Sequence, residues 1–115
     1  MLEHRKTPRY ASIAHAKVFG LTVGDAVLRD LSITGCRLEF SAAVALTEGS
    51  RYKLVIQPED VAEVEDFELE VEARWSRADY DSFEVGFSIL ASPKGKAFLR
   101  YVDYLAWLSK SAAEV

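Results

Sequence analysis

The sequence predicts an all-β domain with one C-terminal helix, arranged as a six-stranded antiparallel β-barrel. Three observations lead there. Apolar and polar residues alternate through a series of short segments, the period-2 signature of strands with one face in a core. The first three segments are joined by connections of only a few residues, marked by Gly24 and Gly35 and too short for the crossovers that parallel strands need, while Ser41 to Ser50 is a linker with a turn at Glu48-Gly49, and Pro58-Glu59-Asp60 and Asp79-Tyr80-Asp81-Ser82 are further breaks. The period changes to three and four only once, after Ser92. Short antiparallel strands with a single terminal helix are best satisfied by a small closed or nearly closed barrel, which removes exposed sheet edges, with the helix as its cap.

Taking the chain in order, Glu3-His4-Arg5-Lys6-Thr7-Pro8-Arg9-Tyr10 is basic and lacks apolar periodicity. Pro8 has no N–H and biases Thr7 toward extended backbone, so residues 1–11 are expected as a flexible arm rather than an element. Ala14 to Leu21 and Asp25 to Ser32 read as two strands joined at Thr22-Val23-Gly24, and Gly35 to Phe40 as a third. Within this meander Leu31 and Ile33 alternate with Asp30 and Ser32. Gly35 breaks the rhythm, so a bend or hairpin is expected at Thr34-Gly35. Beyond it Cys36, Leu38 and Phe40 face one way and Arg37 and Glu39 the other. Arg51 to Gln57 alternates with Tyr52, Leu54 and Ile56 on one side and is stopped by Pro58-Glu59-Asp60. The clearest alternation sets Phe67, Leu69, Val71, Ala73 and Trp75 against Glu68, Glu70, Glu72 and Arg74, a half-buried strand with a solvated acidic face. Phe83, Val85, Phe87 and Ile89 alternate with Glu84, Gly86 and Ser88 in the last strand. Ser92-Pro93 then supplies a cap residue and a proline for the first helical position. Phe98, Tyr101, Val102, Leu105 and Leu108 form the stripe that packs on the sheet. Tyr104 and Trp107, with Arg100, lie on a neighbouring face; core periphery is favoured over a partner surface.

Length and charge set the outer limits. At 115 residues the chain is one domain, 1–115, with the arm at 1–11, the barrel at 12–91 and the helix at 92–111. A net charge of −4 opposes general binding of nucleic acid, whereas a small anionic ligand needs only a local basic cluster. Cys36, the single cysteine, sits on the inward face of its strand and fits a reducing compartment and a structural thiol. The first ten residues lack the apolar core of a secretion signal, and Arg100, Asp103 and Lys110 rule out a membrane span over 93–111, so a cytoplasmic protein is expected.

Arg5-x-x-x-Arg9 on the arm and Asp30-x-Ser32-x-x-Gly35 on the strand pair come in order and bracket the first strands of the predicted barrel. With the Trp75 strand, the Val85-Gly86-Phe87 segment and the terminal helix, they resemble the PilZ domain family over essentially the whole chain. The resemblance implies a six-stranded antiparallel barrel that binds the bacterial second messenger cyclic di-GMP. By the same resemblance Arg5 and Arg9 would grip phosphate and guanine, Asp30 and Ser32 would engage the guanine edge, and Gly35 would permit close approach. Lys6, His4 and Arg37 are further candidates at the site. Arg29 also flanks the patch, but alternation places it on the face opposite Asp30, which favours Arg37. The chemistry is consistent: a guanidinium fork meets guanine O6 and N7 bidentately, and a carboxylate accepts from N1–H and the N2 amino group.

Catalysis is not expected. His4 and His15 are the only histidines, neither is spaced with Cys36 or a serine as a nucleophile and base, and no metal-ligand cluster or phosphate loop is present. No cofactor is expected beyond the nucleotide ligand. The expected role is that of a receptor, monomeric or weakly dimeric, that relays ligand occupancy to a downstream protein the sequence does not identify. The alternative is an adaptor of the same fold that binds no nucleotide.

Overall fold

In the computed structural model, which describes residues 8–20 and 26–113, seven strands and one long helix follow one another along the chain. The strands are β1 (Tyr10–Ala11), β2 (His15–Val18), β3 (Ala26–Leu31), β4 (Gly35–Phe40), β5 (Arg51–Gln57), β6 (Phe67–Ala78) and β7 (Phe83–Ala91), and the helix is α1 (Lys96–Ala113). A single 3-10 turn, Asp60–Ala62, lies between β5 and β6. The segment 21–25, with the expected turn at Thr22-Val23-Gly24, lies outside the described residues.

Every pairing is antiparallel. β2 lies between β3 and β5, β6 joins β5 to β7, and β4 pairs with both β7 and β3, so six strands close into a ring. β1 is a seventh, short strand that pairs with the far end of β3 beyond its pairing with β2, where Tyr10 faces Leu31 and Ala11 faces Asp30. The end of the segment expected as an arm is therefore held in the sheet.

The inward residues of the ring are those the alternation picks out. Leu28, Leu31, Cys36, Leu38, Leu54, Ile56, Leu69 and Val71 are wholly buried, and Val85 and Phe87 nearly so. One end of the barrel is closed by α1, which sets Phe98, Tyr101, Val102 and Leu105 into the core. Phe67 meets Phe98 and Tyr101 at ring separations of 5.8 and 5.9 Å. Tyr101 carries a hydroxyl into this apolar layer and finds partners for it: Tyr101 donates to Glu59 Oε1 at 2.7 Å, and the Ser12 hydroxyl lies 2.9 Å from the phenolic oxygen. Burial raises the Tyr101 pKa, so the phenol stays protonated. Tyr104 is half-buried against the core, whereas Trp107 is exposed.

Three local departures from the sequence pattern have physical causes. The helix begins at Lys96 and not at Ser92-Pro93, because Lys94 adopts a left-handed backbone (φ 55°) that cannot propagate a right-handed helix. Ser92 instead donates its hydroxyl to the Glu68 carbonyl at 2.6 Å. In β3 the register with β4 shifts between Leu28 and Asp30, so Arg29 is the extra residue of a bulge. Arg29 and Asp30 both lie outside the core, correcting the expectation that they take opposite faces. In β6 a second shift between Ala73 and Trp75 rephases the strand. Trp75, expected inward, is 37% exposed on the outer surface.

Cys36 is fully buried and unpaired, and burial pushes its thiol pKa up to about 12. An aromatic disulfide reagent at neutral pH should therefore leave the folded protein unlabelled and react with one thiol per chain only after denaturation. Rapid labelling of the native protein would contradict the assigned burial.

Candidate functional site

The β3–β4 turn is built by Ser32. Its hydroxyl oxygen accepts the backbone N–H groups of Thr34 and Gly35, both at 3.1 Å, while its own N–H donates to the Gly35 carbonyl at 2.9 Å. The side chain is 1% exposed, so Ser32 shapes the turn from within and does not line the surface. The Thr34 carbonyl accepts the Ile89 N–H at 2.9 Å, which ties the turn to β7.

Gly35 opens β4, and its neighbours explain why no side chain stands there. A Cβ at this position would lie 3.0 Å from Arg9 Nη2 and 3.0 Å from the Phe87 carbonyl oxygen. The glycine therefore lets a guanidinium settle directly on the strand. Arg9 Nη1 reaches Asp30 Oδ1 at 3.3 Å, and Arg37 Nε donates to Asp30 Oδ2 at 2.9 Å. The second contact follows from register, since Asp30 and Arg37 are direct partners across β3 and β4. The structure thus brings together Arg9, Asp30, Gly35 and Arg37. Arg5, Lys6 and His4 lie outside the described residues.

The cluster continues beyond the motif residues. Arg37 Nη1 donates to Glu84 Oε2 at 2.9 Å, and Arg77 Nη2 donates to the other Glu84 oxygen. Guanidinium and carboxylate alternate along the chain Arg9, Asp30, Arg37, Glu84, Arg77, three positive charges to two negative, leaving one net positive charge. Across the sheet, Ala11, Asp30, Arg37, Gly86 and Trp75 form one row of register partners. Gly86 has no side chain in this row because the Trp75 indole leans across it; any Cβ there would overlap the ring. The Arg77 guanidinium lies 5.9 Å from the indole centroid. Period-2 reading could not find Trp75, Arg77 or Glu84 as site residues: the first two follow the β6 bulge, and the third resembles any outward strand glutamate.

The arrangement suits a flat, anionic, hydrogen-bonding ligand. Two contacts on Asp30 differ in quality. The Arg37 bond has the usual length of a charge-assisted pair, whereas the Arg9 contact is long and single, so Arg9 is the group more easily transferred to an incoming anion. By contrast, a cleft of about 260 Å3 between Glu65–Glu68 and Pro93–Ala97 sets three carboxylates, Glu65, Asp66 and Glu68, against one cation, Lys94, and so disfavours anions. Among the described residues no group of three or more His, Cys, Asp or Glu side chains is placed to hold a metal ion, and no helix is long and apolar enough to cross a membrane.

Three solved structures of the same architecture come from bacteria. The structure of the Bacillus subtilis inhibitor of motility, MotI/DgrA, superposes with a TM-score of 0.79 at 14% identity, over 96% of this chain and 53% of that one. The PilZ domain of Escherichia coli YcgR, determined with c-di-GMP, superposes with a TM-score of 0.73 at 16% identity over 97% of this chain and 98% of that domain. The larger YcgR structure in complex with c-di-GMP gives 0.70 at 18% identity, covering 98% of this chain and 49% of that one. This chain therefore spans about half the length of MotI/DgrA and of the larger YcgR structure. No curated protein sequence matches it significantly. The family model for the PilZ domain matches residues 3–104, the whole barrel and the first half of α1 together with the basic segment before them, and the chain belongs to the PilZ domain family.

Proposed function

We propose that this domain is a non-catalytic receptor for cyclic di-GMP, which it takes up between the Arg5-x-x-x-Arg9 segment and the Asp30–Arg37 surface of the barrel, and that it passes ligand occupancy to a partner protein. The observation that carries this reading is the packing of Arg9 on Gly35 with its guanidinium turned to Asp30. Motif residues separated by more than twenty positions meet at one spot, with a net positive charge and a partly covered carboxylate whose Oδ1 is held only by the long Arg9 contact. A phosphate would draw Arg9 from Asp30, leaving Oδ1 to accept from guanine N1–H and the N2 amino group, while Arg37 holds the carboxylate in place. Trp75, at the end of the same row, offers a π face to a base. Ser32 contributes through the turn it holds. The PilZ domain of YcgR, which shares the fold, has been seen with the same nucleotide.

A route outward runs through β1. Its two residues follow Arg9 and pair with Asp30 and Leu31, and α1 packs on it, fastened by the Ser12–Tyr101 hydrogen bond. Movement of Arg9 on binding would thus be felt at the helix, whose outer face is the surface available to a partner.

Isothermal titration of the intact chain with cyclic di-GMP tests the reading. Arg9→Ala should weaken binding by about 1.5–3 kcal/mol, the worth of a hydrogen bond to a charged group, with little change in the melting temperature of the free protein. An arginine variant that binds like wild type would show that the site lies elsewhere.

A further inference from the structure

Three polar residues are buried among those described, Ser12, Ser32 and Glu84, and only Glu84 carries a charge. The two serines spend their hydroxyls on neighbouring backbone groups or Tyr101. Glu84 spends both carboxylate oxygens on arginines, Oε2 on Arg37 and Oε1 on Arg77. It stands on the outer face of β7, between Glu39 of β4 and Arg77 of β6, and is buried by the side chains laid over it.

Burying a carboxylate is costly, and even a well-paired ion contributes little more net stability than an apolar pair of the same shape. Its distinctive consequence is orientation. A guanidinium tied at one terminal nitrogen can still swing about that bond. Tied at Nε by Asp30 and at Nη1 by Glu84, the Arg37 plane has one orientation. Asp30 is fixed in turn, because Arg37 holds Oδ2 and leaves Oδ1 facing Arg9.

We infer that Glu84 is a positioning residue for nucleotide recognition: by clamping Arg37 it sets the direction of the Asp30 carboxylate and hence the preference of the site for guanine. This rests on the cyclic di-GMP reading above. Glu84 does not touch the ligand; its effect passes through Arg37.

The test is Glu84→Gln, which keeps the shape but offers one guanidinium an acceptor and turns an N–H toward the other. Titration of the intact chain should show cyclic di-GMP binding weakened by about tenfold, the worth of one charge-assisted hydrogen bond lost at second hand. Cyclic di-AMP should change less, so selectivity narrows. In an Arg37→Met background Glu84→Gln should cause no further loss. Should Glu84→Gln fail to fold, Glu84→Asp keeps the charge but shortens the reach and should narrow selectivity in the same way. Equal weakening of both nucleotides, or a loss that simply adds to that of Arg37→Met, would reduce Glu84 to a structural residue and overturn the inference. If wild type prefers guanine and both Glu84 variants keep that preference, only this inference fails. If wild type binds no cyclic di-GMP, the receptor reading fails and takes this one with it.

Discussion

Gly35→Val should abolish measurable cyclic di-GMP binding while leaving a folded but weakened barrel. The backbone at Gly35 is not in the left-handed region, so the penalty comes from contact and not from φ. The first added carbon already lies 3.0 Å from the Phe87 carbonyl oxygen, which belongs to the ladder and cannot turn away, and 3.0 Å from Arg9 Nη2, which can. Two further methyl groups leave the variant a choice between separating β4 from β7 and expelling Arg9; it will do some of each. Overpacking of this kind costs about 1–3 kcal/mol of stability. Binding suffers more, because the displaced strand carries the Ser32 turn and the expelled guanidinium is one that the proposed site offers to the ligand. Loss of two charge-assisted hydrogen bonds, about 3–6 kcal/mol, corresponds to roughly a hundredfold to a ten-thousandfold in affinity. Gly35→Ala should fall between, since Arg9 can swing clear of one carbon while the Phe87 carbonyl cannot. Titration calorimetry with thermal unfolding separates the two effects. Wild-type affinity in the valine variant would place the ligand away from this turn.

Cyclic di-GMP should be preferred over cyclic di-AMP by at least about tenfold and by about a hundredfold or more per ligand if both base contacts form. The two nucleotides share ring and charge, so attraction of phosphate to Arg5, Lys6 and Arg9 cannot tell them apart. Asp30 and its arginines can. Guanine presents N1–H and an N2 amino group to a carboxylate, and O6 with N7 to a guanidinium. Adenine places an acceptor at N1, has no N2 amino group and carries an amino donor where guanine has O6. The carboxylate then faces a lone pair and the guanidinium an N–H, so donor and acceptor lose their partners together, at about 1–3 kcal/mol for each unsatisfied group. Competition of both nucleotides against a labelled cyclic di-GMP probe measures this directly, at one fixed salt concentration because phosphate contacts weaken with ionic strength. Near-equal displacement would mean an anion trap and remove the receptor reading.

Most of the frame follows from local chemistry. Leu28, Leu38, Leu54, Leu69 and Val85 announce inward faces by alternation alone, because a pleated strand has no other way to bury every second side chain. Short turns between the strands force antiparallel neighbours, and six such strands with one amphipathic helix lead to the closed ring that the structure contains. Cys36 was legible as a buried thiol for the same reason. The resemblance carried by Arg9, Asp30, Ser32 and Gly35 located the cluster, although the part played by Ser32 within the turn emerged only from its hydrogen bonds. What the chain could not disclose locally is set by partner strands. A period of two holds only while each residue faces one residue opposite. Bulges at Arg29 and Arg74 put two against one, which leaves Arg29 outside the core beside Asp30 and turns Trp75 out onto Gly86. Glu84 sits where alternation put it, on the outer face, yet it is buried, because Arg37 from β4 and Arg77 from β6 reach over it from either side. Its burial and its pairing depend on residues 47 positions before it and 7 before it brought into register by the closed sheet, and only the tertiary structure decides that.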